Sequence, residues 1–218
     1  MACKFCIGNK LRENNPPSFP EKQKVIEFIK KHAPLTKLLS ISGSTSDPML
    51  TDQELLKEYS TLAKSLGLRV AIHTHANAFD ESKTNILKMA DKTVISAHNL
   101  EHLAKANQII KAVGKERVRI SSVCNSENKQ LLEKKEFYEA VNADTFTVRL
   151  NVFEDIKLTP PYPKTGQRIF NQEQYSDGNK SVVVWDFKNA NEFIAARYLW
   201  PDGQMKPQCY WTKLHEVE

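Results

Sequence analysis

The stretch Thr93–Cys124, TVISAHNLEHLAKANQIIKAVGKERVRISSVC, decides the fold. It opens on a short apolar run, Thr93–Ala97, and closes on a second, Val118–Val123. Between them Asn99 is of the residue class that caps the free N–H groups of a helix start, and Gly114 is of the class that ends one. A strand, a helix from Asn99 to Val113 and a second strand make a βα unit. Two parallel neighbours need a crossover of about this length between them.

The same pattern extends both ways. Upstream, Val25, Ile26, Phe28 and Ile29 give an apolar face to a helix over 21–33, which Pro34 stops. Leu38–Ile41 reads as a buried strand ending at Ser42-Gly43. Thr51 or Asp52 can cap a helix through Leu66, with Leu55, Leu56, Tyr59, Leu62 and Ala63 on one face and Gly67 at its end. Leu68–Thr74 is a strand and Glu81–Ala90 a helix. Downstream come a helix over 127–141 and a strand over Thr145–Leu150. Short Val/Ile-rich strands alternating with helices every 25 residues or so (roughly) predict an α/β fold around a parallel sheet. The expected architecture is a partial (βα) TIM-like barrel over residues 1–152, whose first helix has no strand before it. A β-hairpin-containing C-terminal extension, 153–218, belongs to the same domain. Within it 154–180 reads as a long Pro/Gly/Gln/Asn-rich loop, and Ser181–Phe187 and Arg197–Trp200 read as strands. Pro201-Asp202-Gly203 turns the chain back through Met205. This tail is expected to pack on or beside the barrel as an appendage.

With 218 residues, 40% of them hydrophobic and 26% charged, the chain supports one sizeable core. Disordered and collagen-like classes are excluded. No run of eighteen apolar residues exists to span a membrane, and no basic-then-apolar leader opens the sequence, so a cytoplasmic setting is expected. The net charge of +5 is scattered over helices and makes no clear nucleic-acid surface. Four cysteines do not form a disulfide framework. The close pair Cys3-Lys4-Phe5-Cys6 points to reduced thiols that bind a metal or act in redox chemistry.

Strand ends supply the remaining candidates. Gly43-Ser44-Thr45-Ser46-Asp47-Pro48 follows the first strand, a small, hydroxyl-rich turn with one carboxylate. His73 and His75 end the second, Ser96 and His98 the third, Ser122 and Cys124 the fourth, and Arg149 and Asn151 the fifth. The period-two spacing within each pair places both members on one face. Each also has a plain structural reading: a helix-entry loop, hydrogen-bonded histidines, an ion-paired arginine, and Cys124 and Cys209 as small buried hydrophobes.

In combination these features resemble the radical S-adenosylmethionine (radical SAM) enzymes. There a CxxxCxxC loop after the first strand ligates three irons of a 4Fe-4S cluster, with an aromatic residue before the last cysteine, as Phe5 is here. A Gly-Gly-Glu-Pro-type turn after the second strand holds the methionine amino group, and Ser42–Pro48 is similar to it with Asp47 in place of Glu. The resemblance covers residues 1–152. It implies Cys3 and Cys6 as cluster ligands, and Gly43, Ser44, Thr45, Ser46, Asp47, Ser96, Arg149 and Asn151 as SAM contacts. It also implies a one-electron reductant such as flavodoxin or ferredoxin. In this pattern a further cysteine stands four residues before Cys3, so the chain begins inside the motif. Two thiolates alone would assemble a labile cluster or none, and the missing strand would leave one sheet edge exposed. The expected chemistry is reductive cleavage of SAM and hydrogen abstraction from a small-molecule, peptide or RNA substrate. Trp185, Tyr198, Trp200, Tyr210 and Trp211 are candidates to meet that substrate.

Two other classes fit parts of the pattern. A metal-dependent barrel hydrolase would bind zinc at His73, His75 and His98 and activate water, which leaves Cys3-Cys6 and the Gly43–Pro48 turn without a role. A non-catalytic protein would use a CxxC zinc half-site or a degenerate barrel as a binding surface. A thioredoxin-type motif lacks the strand that should lead into it.

Overall fold

The computed structural model describes residues 20–43, 47–151, 154–169, 172–186, 198–199 and 205–206. Cys3, Cys6, Ser44, Thr45, Ser46, Trp200, Cys209, Tyr210 and Trp211 lie outside them. The protein is mixed α/β, with parallel strands joined through helices and an antiparallel hairpin. It divides into two compact units. One takes the described residues of Met1–His73, Met89–Asp91 and Ala195–Glu218, the other those of Thr74–Lys88 and Lys92–Ile194.

In the first unit, α1 (Lys22–His32) and α2 (Gln53–Ser65) accompany β1 (Leu38–Ile41) and the start of β2 (Arg69–His75). The two strands run parallel, with Leu38 opposite Arg69 and Ile41 opposite Ile72. Asp52 caps α2, its side chain accepting from the Glu54 N–H at 2.9 Å. Gly67 follows α2 at φ 78°, a left-handed conformation that costs a glycine nothing. Ile29, Met49, Leu56, Ala63, Val70 and Ile72 form the core. Asp91 braces the entry to β2, where its Oδ2 accepts from the Val70 N–H at 2.8 Å. The expectation that β1 is buried fails. Leu38 is 44% exposed, because β1 pairs with β2 and has no second strand beside it among the described residues. A short antiparallel pair, β9 (Tyr198–Leu199) with β10 (Met205–Lys206), also belongs to this unit.

β2 passes into the second unit at Thr74. There α3 (Thr84–Met89), β3 (Lys92–Ser96), α4 (Leu100–Val113), β4 (Val118–Cys124), α5 (Lys129–Leu132), α6 (Lys135–Glu139) and β5 (Thr145–Leu150) follow in order, with Met89 counted in the first unit. Then come β6 (Lys164–Ile169), β7 (Gln172–Ser176) and β8 (Ser181–Trp185). The strand order in this unit is β3-β4-β5-β8-β7-β6.

The register sorts this sheet into two unlike faces. Ile95, Ile120, Phe146 and Val182 form one continuous apolar row, all of them buried. Tyr138 of α6 packs edge-on against Phe146, ring centroids 5.0 Å apart, so helices cover this side. The other face carries Lys92, Val94 and Ser96 of β3, Arg119, Ser121 and Val123 of β4, Thr145, Thr147 and Arg149 of β5, and Ser181, Val183 and Trp185 of β8. Sequential parallel strands joined by crossovers of one hand put their helices on one side, so the polar residues lie on the side opposite the helices.

Three expectations need correction. The helix over 127–141 is two short helices, α5 and α6. On one continuous helix Leu132, Phe137 and Tyr138 would point in three directions, and the break lets all three be buried. Tyr138 Oη then donates to the freed Leu132 carbonyl at 2.7 Å. The helix over 81–90 is a 3-10 turn, Glu81–Lys83, followed by the six residues of α3. The loop over 154–180 contains β6 and β7, and β8 is no appendage: it lies between β5 and β7, parallel to the first and antiparallel to the second.

Candidate functional site

The C-terminal ends of β3, β4, β5 and β8 put Ser96, Arg149 and Trp185 on the polar face. Val123, Arg149 and Trp185 lie level with one another across β4, β5 and β8, with Arg149 between the other two. Adjacent strands lie about 4.8 Å apart, so the Arg149 and Trp185 backbones stand side by side. Ser96 sits one step lower, level with Ser121 and Thr147.

Beside this row stand three imidazoles. His75 ends β2, His98 lies two residues past β3, and His102 is in the first turn of α4. Ring centroids are 4.5 Å apart for His75–His102, 5.7 Å for His75–His98 and 6.0 Å for His98–His102. Asn99 builds the cluster by capping α4, its Oδ1 accepting from the His102 N–H at 2.9 Å. Each ring meets a backbone donor at Nδ1. The Asn77 N–H donates to His75 at 3.1 Å, Val123 N–H to His98 at 3.2 Å and His98 N–H to His102 at 3.3 Å. An Nδ1 that accepts has no proton, so all three neutral rings carry it on Nε2. His102 Nε2 lies 3.4 Å from the Asn77 side-chain amide. The amide orientation with Oδ1 toward that N–H gives the otherwise unpartnered Asn77 Oδ1 a donor.

Burial keeps these rings neutral. It lowers the pKa of His98 to about 3, helped by His75, Arg149 and His102, and that of His75 to about 4, helped by His102. His102 is lowered too, again first by burial. Zinc ligation through Nε2 would require the proton at Nδ1, where it would face a backbone N–H. His73 is engaged differently, its Nε2 3.0 Å from Ser40 Oγ in the first unit. The zinc set His73, His75 and His98 is thus poorly suited to its task. Among the described residues no group of three or more His, Cys, Asp or Glu is arranged to hold a metal ion.

The loops after β4 and β5 are tied to each other. Asn151 N–H donates to the Cys124 carbonyl at 2.9 Å, and its Nδ2 donates to Glu154 Oε1 at 2.5 Å. Glu154 Oε2 accepts from the Ser126 N–H at 2.8 Å. Asn128 Oδ1 accepts from the Asn125 N–H at 2.9 Å, while its Nδ2 donates to the Val123 carbonyl at 2.9 Å. Asn151 therefore holds the rim in shape.

Cys124 is 0% exposed on the apolar face, and burial pushes its thiol up to about 12, as its reading as a small buried hydrophobe predicts. Ser122 shares that face and its hydroxyl donates to the Ala97 carbonyl. In the first unit Gly43 is exposed, and Asp47 Oδ1 accepts from the Met49 N–H at 2.8 Å, capping the turn Pro48–Leu50. The sequence pattern pointed to His98, Arg149 and Asn151 and missed His102, Asn77, Asn128 and Glu154. The available signal was spacing: a histidine four residues after His98 across the Asn99 cap, and Asn125-Ser-Glu-Asn128 after β4. No protein-family model matches the chain, and no curated protein matches it.

Proposed function

We propose that the chain is a radical SAM enzyme, its strands forming part of a βα barrel whose polar face is the interior. One observation carries this reading: a helix-free polar face with Ser96 and Arg149 at the C-terminal ends of parallel strands, the ends at which βα barrels place their sites. When bound, the cluster supplies one-electron reductive cleavage of SAM, the source of a 5'-deoxyadenosyl radical for hydrogen abstraction from a substrate. Arg149 offers a cation for the SAM carboxylate and Ser96 a hydroxyl for its ribose, with Asn151 shaping the rim. Asp47 and Gly43 are assigned to the methionine amino group on the resemblance alone. The neutral imidazoles add bulk and no charge, which suits a site meant to exclude water from a radical.

The family holds its cluster on three thiolates. Cys3 and Cys6 supply two where the family uses three, and Cys124 is no third, since burial holds it protonated on the apolar face. Calorimetry with SAM tests the cofactor site directly: the chain should bind it, and Arg149→Ala should weaken binding about tenfold, the loss of one charge-assisted hydrogen bond. Absence of SAM binding by the unmutated chain, alone and after anaerobic treatment with iron and sulfide, would sink the proposal.

A further inference from the structure

The polar face of the second unit has a feature that the SAM reading does not use. Its strand residues in β3, β4, β5 and β8 include three cations, Lys92, Arg119 and Arg149, and no carboxylate. Arg119 is near the N-terminal end of β4, opposite Val94 and four residues below the level of Arg149. That separates the two guanidinium-bearing backbones by about 13 Å along the strands. Arg119 is half-buried. Its Nε is sealed from solvent and has no hydrogen-bond partner, while its terminal nitrogens are not sealed. It forms no ion pair among the described residues. Lys92 stands one strand over, half-buried as well, donating to the Glu116 carbonyl at 3.3 Å. Glu116, the nearby acid, lies in the turn before β4, where it is 3.9 Å from Arg117. Burial lowers the pKa of Lys92, and the charge of Arg119 lowers it further against the opposing pull of Glu116; burial lowers that of Arg119.

A scaffold has no use for this arrangement. A lone arginine can bury its stem and leave its head in water at small cost. Two neighbouring cations, both partly desolvated and with Glu116 offsetting only Lys92, repel each other and lose hydration. The bottom of the face adds the hydroxyl of Ser181 and, on the next row, those of Ser121 and Thr147. A planar guanidinium with free terminal N–H groups, an ammonium beside it and hydroxyls around it match the acceptors of an oxyanion.

We propose that Arg119 and Lys92 form an oxyanion subsite on this face, which holds a ligand by its carboxylate or phosphate group. The subsite needs neither cluster nor SAM, so it stands or falls separately from the enzyme reading. Thermal unfolding of the full chain tests it, with inorganic phosphate or acetate replacing chloride at constant ionic strength and pH 7.5. At about ten times its Kd the bound anion should raise Tm by about 3–5 °C. A shift with phosphate alone identifies a phosphoryl group, and a shift with both anions identifies a carboxylate-accepting site. Arg119→Gln and Lys92→Gln should each abolish the shift, whereas Lys111→Gln, at an exposed position on α4, should keep it. If Arg119→Gln does not fold, Arg119→Met keeps the stem and takes its place. No shift in the unmutated chain with either anion overturns the proposal. So does a shift that survives loss of Arg119.

Discussion

Acid should destabilise this protein through His98, and the size of the effect follows from its burial. His98 is 8% exposed, and burial lowers its pKa to about 3 from an ordinary 6.5. The folded state binds the proton less readily than the unfolded state, so stability is full above pH 6.5. It falls as pH drops below that value, until His98 itself protonates near 3. Within the window the slope is ~1.4 kcal/mol per pH unit for one group. From pH 7 to pH 5 the loss from His98 alone is about 2 kcal/mol. His75 adds a smaller loss of the same sign, discounted for its greater exposure. His98→Asn keeps an acceptor for the Val123 N–H and removes the titration. Urea unfolding followed by circular dichroism at the two pH values gives both stabilities. The variant should start ~1 kcal/mol lower at pH 7, for lost ring packing, and should lose about 2 kcal/mol less than the unmutated chain on going to pH 5. Equal losses in the two proteins would refute the assignment of a buried neutral imidazole.

Asp91→Ala leaves the Val70 N–H at the start of β2 without its acceptor and should cost ~1–3 kcal/mol in the same unfolding assay. Cys124 should resist iodoacetamide at pH 8 in the folded chain and react fully in urea, as mass spectrometry of the labelled peptide will report. The two faces of the second unit's sheet should differ in their response to a change in side-chain polarity. Thr147→Val on the polar face should change stability by less than ~0.5 kcal/mol, whereas Ile120→Thr on the apolar face, at 0% exposure, should cost ~2–3 kcal/mol.

The elements most visible in the sequence are those whose signals are local. The Asn99 cap, the apolar run of α4 and the stop at Gly114 lie within sixteen residues, and the helix forms as they predict. β4 and β5 are apolar enough to stand out unaided. β6 and β7 are not, with Lys164-Thr-Gly-Gln and Gln172-Glu-Gln-Tyr in them. Their strand character comes from hydrogen bonding to a neighbour, β7 on β8 and β6 on β7, and the edge position of β6 tolerates polar residues on both sides. The α5–α6 break was hidden for the opposite reason: its helical propensity is good throughout, and only the need to bury Leu132, Phe137 and Tyr138 against different neighbours interrupts it.

The candidate site was half legible for a related reason. Alternation along one strand shows which of its residues share a side, but not which side faces the helices, and not which residues of the next strand lie level with them. In VRISSVC both Arg119 and Ile120 have a serine two residues on, so neither parity is plainly apolar. The Tyr138–Phe146 contact assigns Phe146, and through it Ile120, to the helix-covered face, leaving Arg119 on the other. The pairing of Val123 with Arg149 then puts both arginines on one surface, although thirty residues of sequence separate them. Their shared location has an energetic meaning that the residues lack singly. Burial on the apolar side supplies the stability of this unit, while the partly dehydrated Lys92 and Arg119 on the polar side subtract from it. A surface that costs the fold stability at Lys92 and Arg119, and lies opposite the described helices of its unit, is the place where a ligand would return that cost.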